Sequence, residues 1–282
     1  MGYPLEAIQA TITSVTSATD LASMLDPSTG ALKPNSVEIT ASAGVLNTTG
    51  QGDTAVKQIN GLREWGVTVR ALYPRASPII GATSLVTFSA GQAYKVYSWG
   101  LNVQASTLEI SNMGQTDATW KYFMPSRLVK ASCSVEMRME SSTAATLPTS
   151  TSGSAPTVTF GLTNENTDPS IAGAFNLSQF GASFPIGEPQ LVGVRYAGES
   201  TGALTATSGT SSPCVFPAGT VDGPDWDLNA DGTEDVQLVF TAVSGRTYTG
   251  KCFWTQVDFS FAMDSLALVT VQLKGTGPLV LA

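Results

Sequence analysis

Asp227, Asn229, Asp231 and Asp235 stand at D-x-N-x-D-G-x-x-D spacing in the segment DLNADGTEDVQLVF, with Gly232 at its turn. Three carboxylates and an amide oxygen on one tight loop repel one another unless a cation lies between them. A hard divalent ion such as Ca2+ takes oxygen ligands of this kind. The spacing gives Asp227, Asn229, Asp231 and Asp235 as side-chain ligands and Thr233 as a backbone carbonyl ligand of a structural Ca2+. The alternative is a metal-free acidic turn. Val236, Leu238 and Phe240 alternate directly after the loop and predict a strand, without the helix or the position-12 Glu of an EF-hand.

Other chemistry is scarce in the chain. Histidine is absent, which removes the commonest general base, the Ser–His and Cys–His nucleophile pairs and every imidazole metal ligand. Cys133, Cys214 and Cys252 are far apart with no CxxC pair, so buried free thiols are expected instead of a zinc site or a disulfide framework. A pair of carboxylates could still hydrolyse a glycoside without histidine, but no acidic pair accompanies an aromatic sugar platform. The expectation is a protein that is not an enzyme.

Charge points the same way. The net charge is −8, with 14 Lys and Arg scattered along 282 residues and no basic stripe. Tight nucleic-acid binding needs clustered cations that neutralise phosphates, so it is disfavoured. Only 13% of the residues are charged, against about 25% in ordinary domains, and Ser, Thr, Ala and Gly abound. A surface of small uncharged polar side chains follows. The start MGYPLEAIQATITS has no charged region followed by an apolar core, and no apolar run approaches the ~20 residues of a membrane span, which predicts a soluble protein made in the cytoplasm.

Strands must carry these residues. Trp65, Val67, Val69 and Ala71 alternate with smaller or polar neighbours, as do Val135, Met137 and Met139. Val257, Phe259 and Phe261 fall on one face of a strand; Val269, Val271 and Leu273 fall on one face of the next, with Thr270, Gln272 and Lys274 opposite and Asp264-Ser265 as the turn. A long antiparallel hairpin is predicted. Thr19-Asp20 would cap a short helix through Leu25, and Asp168-Pro169 a second helix to about Gly181. Ser141 to Thr157 and Ser200 to Thr220 are Ser/Thr/Gly/Pro-rich and predict loops.

The chain also echoes itself at an offset of 64 residues: GQGDTAVKQINGLR from Gly50 lies over GQTDATWKYFMPSR from Gly114, with five coincidences in fourteen positions. Each copy follows a strand (SVEIT, TLEIS) and precedes another. Identities this sparse in a biased composition leave a true duplication open.

Two resemblances follow from these residues. The acidic loop resembles the calcium loops of integrin-type β-propellers, which also run straight into a strand. VEIT at Val37 to Thr40 with TTGQGDTAVKQINGLREWGVTVRA at Thr48 to Ala71, and GKCFWTQVDFSFAMDSLALVTVQLKGTGPLV at Gly250 to Val280, resemble the major tail-tube proteins of siphophages. The two signatures span about a third of the chain, and the middle from about Thr143 to Thr249 matches neither.

The tail-tube resemblance implies a mainly β fold, an antiparallel β-sandwich or half-barrel with one or two short helices, whose sheets join edge to edge in rings that line a channel. It implies a virion protein assembled in the bacterial host, with itself, the tail terminator and the tail-tip proteins as partners, phage DNA passing without tight binding, and no membrane. Residues 1–77 would form a first unit and 78–282 a second, with a loop-rich insertion at about 141–249. The ring of six units would be a hexamer, or a trimer if the chain is duplicated. Gly50, Asp53 and Lys57 in the first connection and Phe259 and Val271 in the closing hairpin are the contact candidates. A calcium-stabilised adhesin with a sandwich fold is the rival, and it predicts glycan or cell binding by the isolated protein.

Overall fold

The computed structural model describes residues 11–17, 24–25, 32–51, 54–73, 85–88, 94–111, 119–139, 155–162, 170–183, 193–207, 219–221, 236–241 and 246–281. Strands account for nearly all of them: β1 (Thr11–Ser17), β2 (Lys33–Asn47), β3 (Gln58–Leu72), β4 (Leu85–Phe88), β5 (Tyr94–Glu109), β6 (Phe123–Met139), β7 (Thr157–Gly161), β8 (Ser170–Ser183), β9 (Gly193–Ser200), β10 (Leu204–Thr207), β11 (Gly219–Val221), β12 (Val236–Thr241), β13 (Thr247–Ala262) and β14 (Leu268–Leu281). The protein is mainly β, and these fourteen strands form one open antiparallel sheet.

The alternations read from sequence set the faces of this sheet. Trp65, Val67, Val69 and Ala71 of β3, Val257, Phe259 and Phe261 of β13 and Val269, Val271 and Leu273 of β14 all point into the core. The β13–β14 hairpin turns at Met263 and Asp264, where Ser265 N–H donates to the Ala262 carbonyl at 3.2 Å. Large side chains at every second position supply most of the stabilisation, since each fully buried aliphatic or aromatic side chain contributes roughly 1.5–3 kcal/mol.

Hydrogen bonding sorts twelve of the strands into two paths. One runs β1-β12-β13-β14-β3-β2, and the other β4-β7-β8-β9-β6-β5. They meet where β13, over 256–262, pairs with β5 over 98–104. In the second path the sheet folds back on itself: Phe160 of β7 lies 5.1 Å from the ring of Trp99 on β5, and Phe88 of β4 meets Tyr196 of β9 edge-on at 5.5 Å. Two layers therefore enclose a shared apolar core, as a sandwich requires.

Three sequence expectations are corrected. The helix from Asp168 to Gly181 is strand β8 instead. Asp-Pro is a cap signal in sequence, but Gly173 and Gly181 each weaken a helix by about 1 kcal/mol, and strand pairing fully buries Ile171, which lies between β7 and β10, and Phe175, which is paired with β9. Among the described residues no segment is helical; Met24 and Leu25 of the other expected helix lie in a turn, and 19–23 lie outside the description. The stretch Ser200 to Thr220 contains β10 and the start of β11, because Leu204 and Ala206 alternate inward while Thr205 and Thr207 stay exposed. The insertion at 141–249 is likewise strand-bearing, holding β7 to β12; of the loop expected over Ser141 to Thr157, residues 141–154 lie outside the description.

Candidate functional site

The expected metal loop, Asp227, Asn229, Asp231, Thr233 and Asp235, lies outside the described residues; the strand expected after it is β12, with Phe240 buried. Among the described residues no group of three His, Cys, Asp or Glu is placed to hold a metal. Cys133 and Cys252 are buried free thiols, and desolvation pushes the Cys133 thiol up to about 12, where it is neither nucleophile nor ligand. Cys214 lies outside the description.

What the fold does build is a continuous polar face. Because side chains alternate, the residues between the core positions of β2, β3, β14, β13, β5, β6 and β9 all project from the opposite side of the sheet. Strand register aligns them in rows. One row runs from Ser36 through Arg70, Thr270, Asp258, Asn102, Ser132 and Glu199 to Asn176. The next runs Glu38, Thr68, Gln272, Gln256, Gln104 and Lys130.

At the β13–β5 junction the Asn102 amide donates to Asp258 Oδ1, and the Gln256 amide donates to the other Asp258 oxygen at 2.6 Å. Gln104 donates to Gln256 at 3.4 Å. The one carboxylate at the junction thus has its oxygens occupied by neutral donors.

Charges elsewhere on this face are matched in pairs. Lys130 lies 3.0 Å from Glu199, Arg195 2.7 Å from Glu136, and Lys274 3.0 Å from Glu64. Lys121 bridges Glu64 at 3.7 Å and Glu109 at 3.3 Å. Exposed pairs of this kind contribute about 0–1 kcal/mol each to stability, so their main effect is electrical. Lys121, Lys130, Arg195 and Lys274 are each cancelled locally, and the face offers no run of positive charge to a polyanion.

The remaining expected contact residues are distributed differently. Gly50 and Lys57 are exposed at the β2–β3 connection, where Lys57 N–H donates to Thr49 Oγ1 at 2.8 Å; Asp53 lies outside the description. Phe259 and Val271 are 1% and 0% exposed, which places them in the core of the chain and not on a contact surface.

Exposed aliphatic side chains cluster at one end of the sheet. Val45, Leu46, Val56 and Ile59 at the β2–β3 end, Leu108, Ile110 and Met124 at the β5–β6 end, and Val280 and Leu281 of β14 are all exposed. Antiparallel pairing brings these strand ends to the same side. The row residues Gln104, Gln256, Asn102 and Asp258 were missed from sequence; their only signal there was their place between buried neighbours. No protein-family model matches the chain, and no curated protein matches it.

Proposed function

We propose that this chain is a structural virion protein, the major tail-tube subunit of a long-tailed bacteriophage, which polymerises as stacked rings around a lumen that conducts DNA. The observation that carries the proposal is the polar, charge-paired sheet face that runs across eight strands from β2 to β8. A channel wall for DNA must wet the polyanion without gripping it. Rows of Gln, Asn, Ser and Thr, with Lys121, Lys130, Arg195 and Lys274 held by carboxylates, meet that requirement.

The exposed aliphatic end of the sheet supports stacking of one ring on the next, because contiguous exposed apolar side chains mark surfaces that meet a partner. The partners are further copies of the chain and, at the tube ends, terminator and tip proteins. Localisation is the virion tail after synthesis in the host. A structural Ca2+ at 227–235 belongs to the same proposal: it raises the melting temperature at millimolar Ca2+, and Asp231→Ala removes the rise. An unchanged melting curve removes the ion from the account. Self-assembly is tested by sedimentation of the purified chain over a concentration series, with tail initiator components added. Ring-sized or larger species are expected, and a persistent monomer contradicts the proposal.

A further inference from the structure

The two strand paths are wired identically. In chain order the first set is β1, β2, β3, β12, β13, β14 and the second is β4, β5, β6, β7, β8, β9. Both follow the spatial order first, fourth, fifth, sixth, third, second. Shared wiring over six strands is far more specific than the five identities at an offset of 64.

Register extends the match to single residues. Val37 lies opposite Val69, and Leu101 opposite Cys133; Ile39 opposite Val67, and Val103 opposite Ala131; Ala41 opposite Trp65, and Ala105 opposite Val129. Both members of every pair are displaced by 64 residues. Each hairpin has two register shifts, between Pro34/Ser36 and Ala43/Val45 in one and between Val96/Ser98 and Ala105/Thr107 in the other. β13–β14 and β8–β9 share a shift too, at Trp254/Gln256 and Leu177/Gln179.

The two units differ in what lies beside their second strands. On β5, the edge away from β6 is paired with β13, and Leu101 and Val103 are 1% and 0% exposed. On β2, the described residues provide a partner only in β3, and the corresponding Val37 and Ile39 remain half-buried, with Ala41 exposed where Ala105 is buried. The fifth strands differ in the complementary way. β13 is flanked by β12 over its first half and by β5 over its second. β8 is flanked by β7 over 170–174, while from Asn176 onward the described residues pair it with β9 alone.

We propose that the chain is two copies of one six-stranded unit, the second nested between the third and fourth strands of the first, and that β8 of one chain pairs through its 176–183 edge with β2 of a second copy. The junction inside the chain is the template for the junction between chains. β13 lies antiparallel to 98–104 of β5, and the residues 64 positions earlier are 34–40. The 176–183 edge of β8 therefore lies antiparallel to 34–40 of the next chain and completes the burial of Val37 and Ile39. This contact is head to tail, and heterologous contacts close into rings when the rotation between copies closes and run on as open filaments when it does not. Two units per chain make a ring of six units a trimer. On this proposal the division at residue 77 gives way to β1–β3 with β12–β14 as one unit and β4–β9 as the other.

The interface rests on the self-assembly proposed above, and the following experiment separates the two. In a Cys214→Ser background, Glu38→Cys and Gln179→Cys chains are assembled alone and mixed, then treated with a short bismaleimide. A covalent dimer in the mixture, absent from either variant alone, is the expected result. A dimer of Glu38→Cys with itself, or no dimer in any sample, overturns the inference. Hydrogen exchange on the unmodified chain guards against folding defects: amides in 34–40 and 176–183 should exchange at least about tenfold more slowly on assembly. Rings that form without protection of these two segments overturn the interface but leave the tube reading intact, whereas a chain that never assembles removes both.

Discussion

The indole Nε1–H of Trp65 on β3 donates to the carbonyl of Gly277 on β14 at 2.9 Å, joining residues 212 apart in sequence inside the core. Gly250 and Gly275 flank the ring so closely that a Cβ on either would lie 2.4 and 2.1 Å from it. The glycines of the closing hairpin are therefore the space in which this tryptophan sits. Gly277, at φ +68°, holds a backbone conformation that side chains rarely adopt, and it aims its carbonyl at the indole.

Gly275→Ala should destabilise the fold by about 1–3 kcal/mol through overpacking against Trp65. Trp65→Phe should cost a similar ~1–3 kcal/mol through the lost hydrogen bond and volume. The double variant should cost less than the sum of the two, since the smaller ring makes room for the methyl group. Urea denaturation of the four proteins checks this. Additive losses, or an unchanged midpoint in Gly275→Ala, would contradict the packing described.

Thiol accessibility provides the second check. Burial raises the Cys133 thiol to about 12, and Cys252 is fully buried. At pH 8 a native sample treated with iodoacetamide should therefore be alkylated at no more than one of its three cysteines, Cys214, and at all three after unfolding. Rapid native modification of Cys133 would show that β6 is not held as described.

Glu64 connects stability to pH. Its hydrogen bond to Lys274 holds its carboxyl below the usual value of 4.5, with the Lys274 and Lys121 charges acting in the same direction. A carboxyl with a lowered folded pKa stabilises the protein above its unfolded pKa, and this contribution is lost as pH falls through the folded value. Glu64→Gln should thus melt lower than the parent at pH 7, and the two curves should converge in acid once the pH falls below the lowered folded value. The effect is small because the pair is about one-third exposed. A gap that persists or widens in acid would assign Glu64 another role.

Much of this architecture was legible in the sequence, and its limits are physical. The β13–β14 hairpin, its turn at Asp264 and its inward residues could be read because large apolar side chains alternate there without interruption. β8 was misread as a helix because a local Asp-Pro cap speaks louder than Ile171 and Phe175, whose burial depends on strands distant in sequence. β10 was lost among serines and threonines because Ala206 carries so little apolar signal. The 64-residue echo was visible only as sparse identities. What repeats is register and inward direction, so Val69 answers to Cys133 and Trp65 to Val129, pairs with no chemical likeness. The polar rows were invisible for the same reason, since a row is made only when non-adjacent strands come into register.

The neutrality of the polar face should be fragile. Gln104→Lys, Gln256→Lys and Gln272→Lys together place three cations in one row beside Lys130. Each phosphate they neutralise should add to a salt-dependent affinity for DNA, with a slope near −0.9 per contact for duplex. The parent protein should not retard DNA in a gel at 50 mM salt, and the triple variant should do so with a steep loss at 200 mM. Tight, salt-sensitive binding by the parent would contradict a low-friction wall.

Electron microscopy of the purified, untagged chain measures the central claim most directly. Rings that stack into hollow tubes, with the β2, β3, β14, β13, β5, β6, β9 and β8 face lining the lumen and three chains in each ring, are the predicted result. Uniform monomeric particles at every concentration, or assemblies in which that face points to the outer solvent, would contradict it.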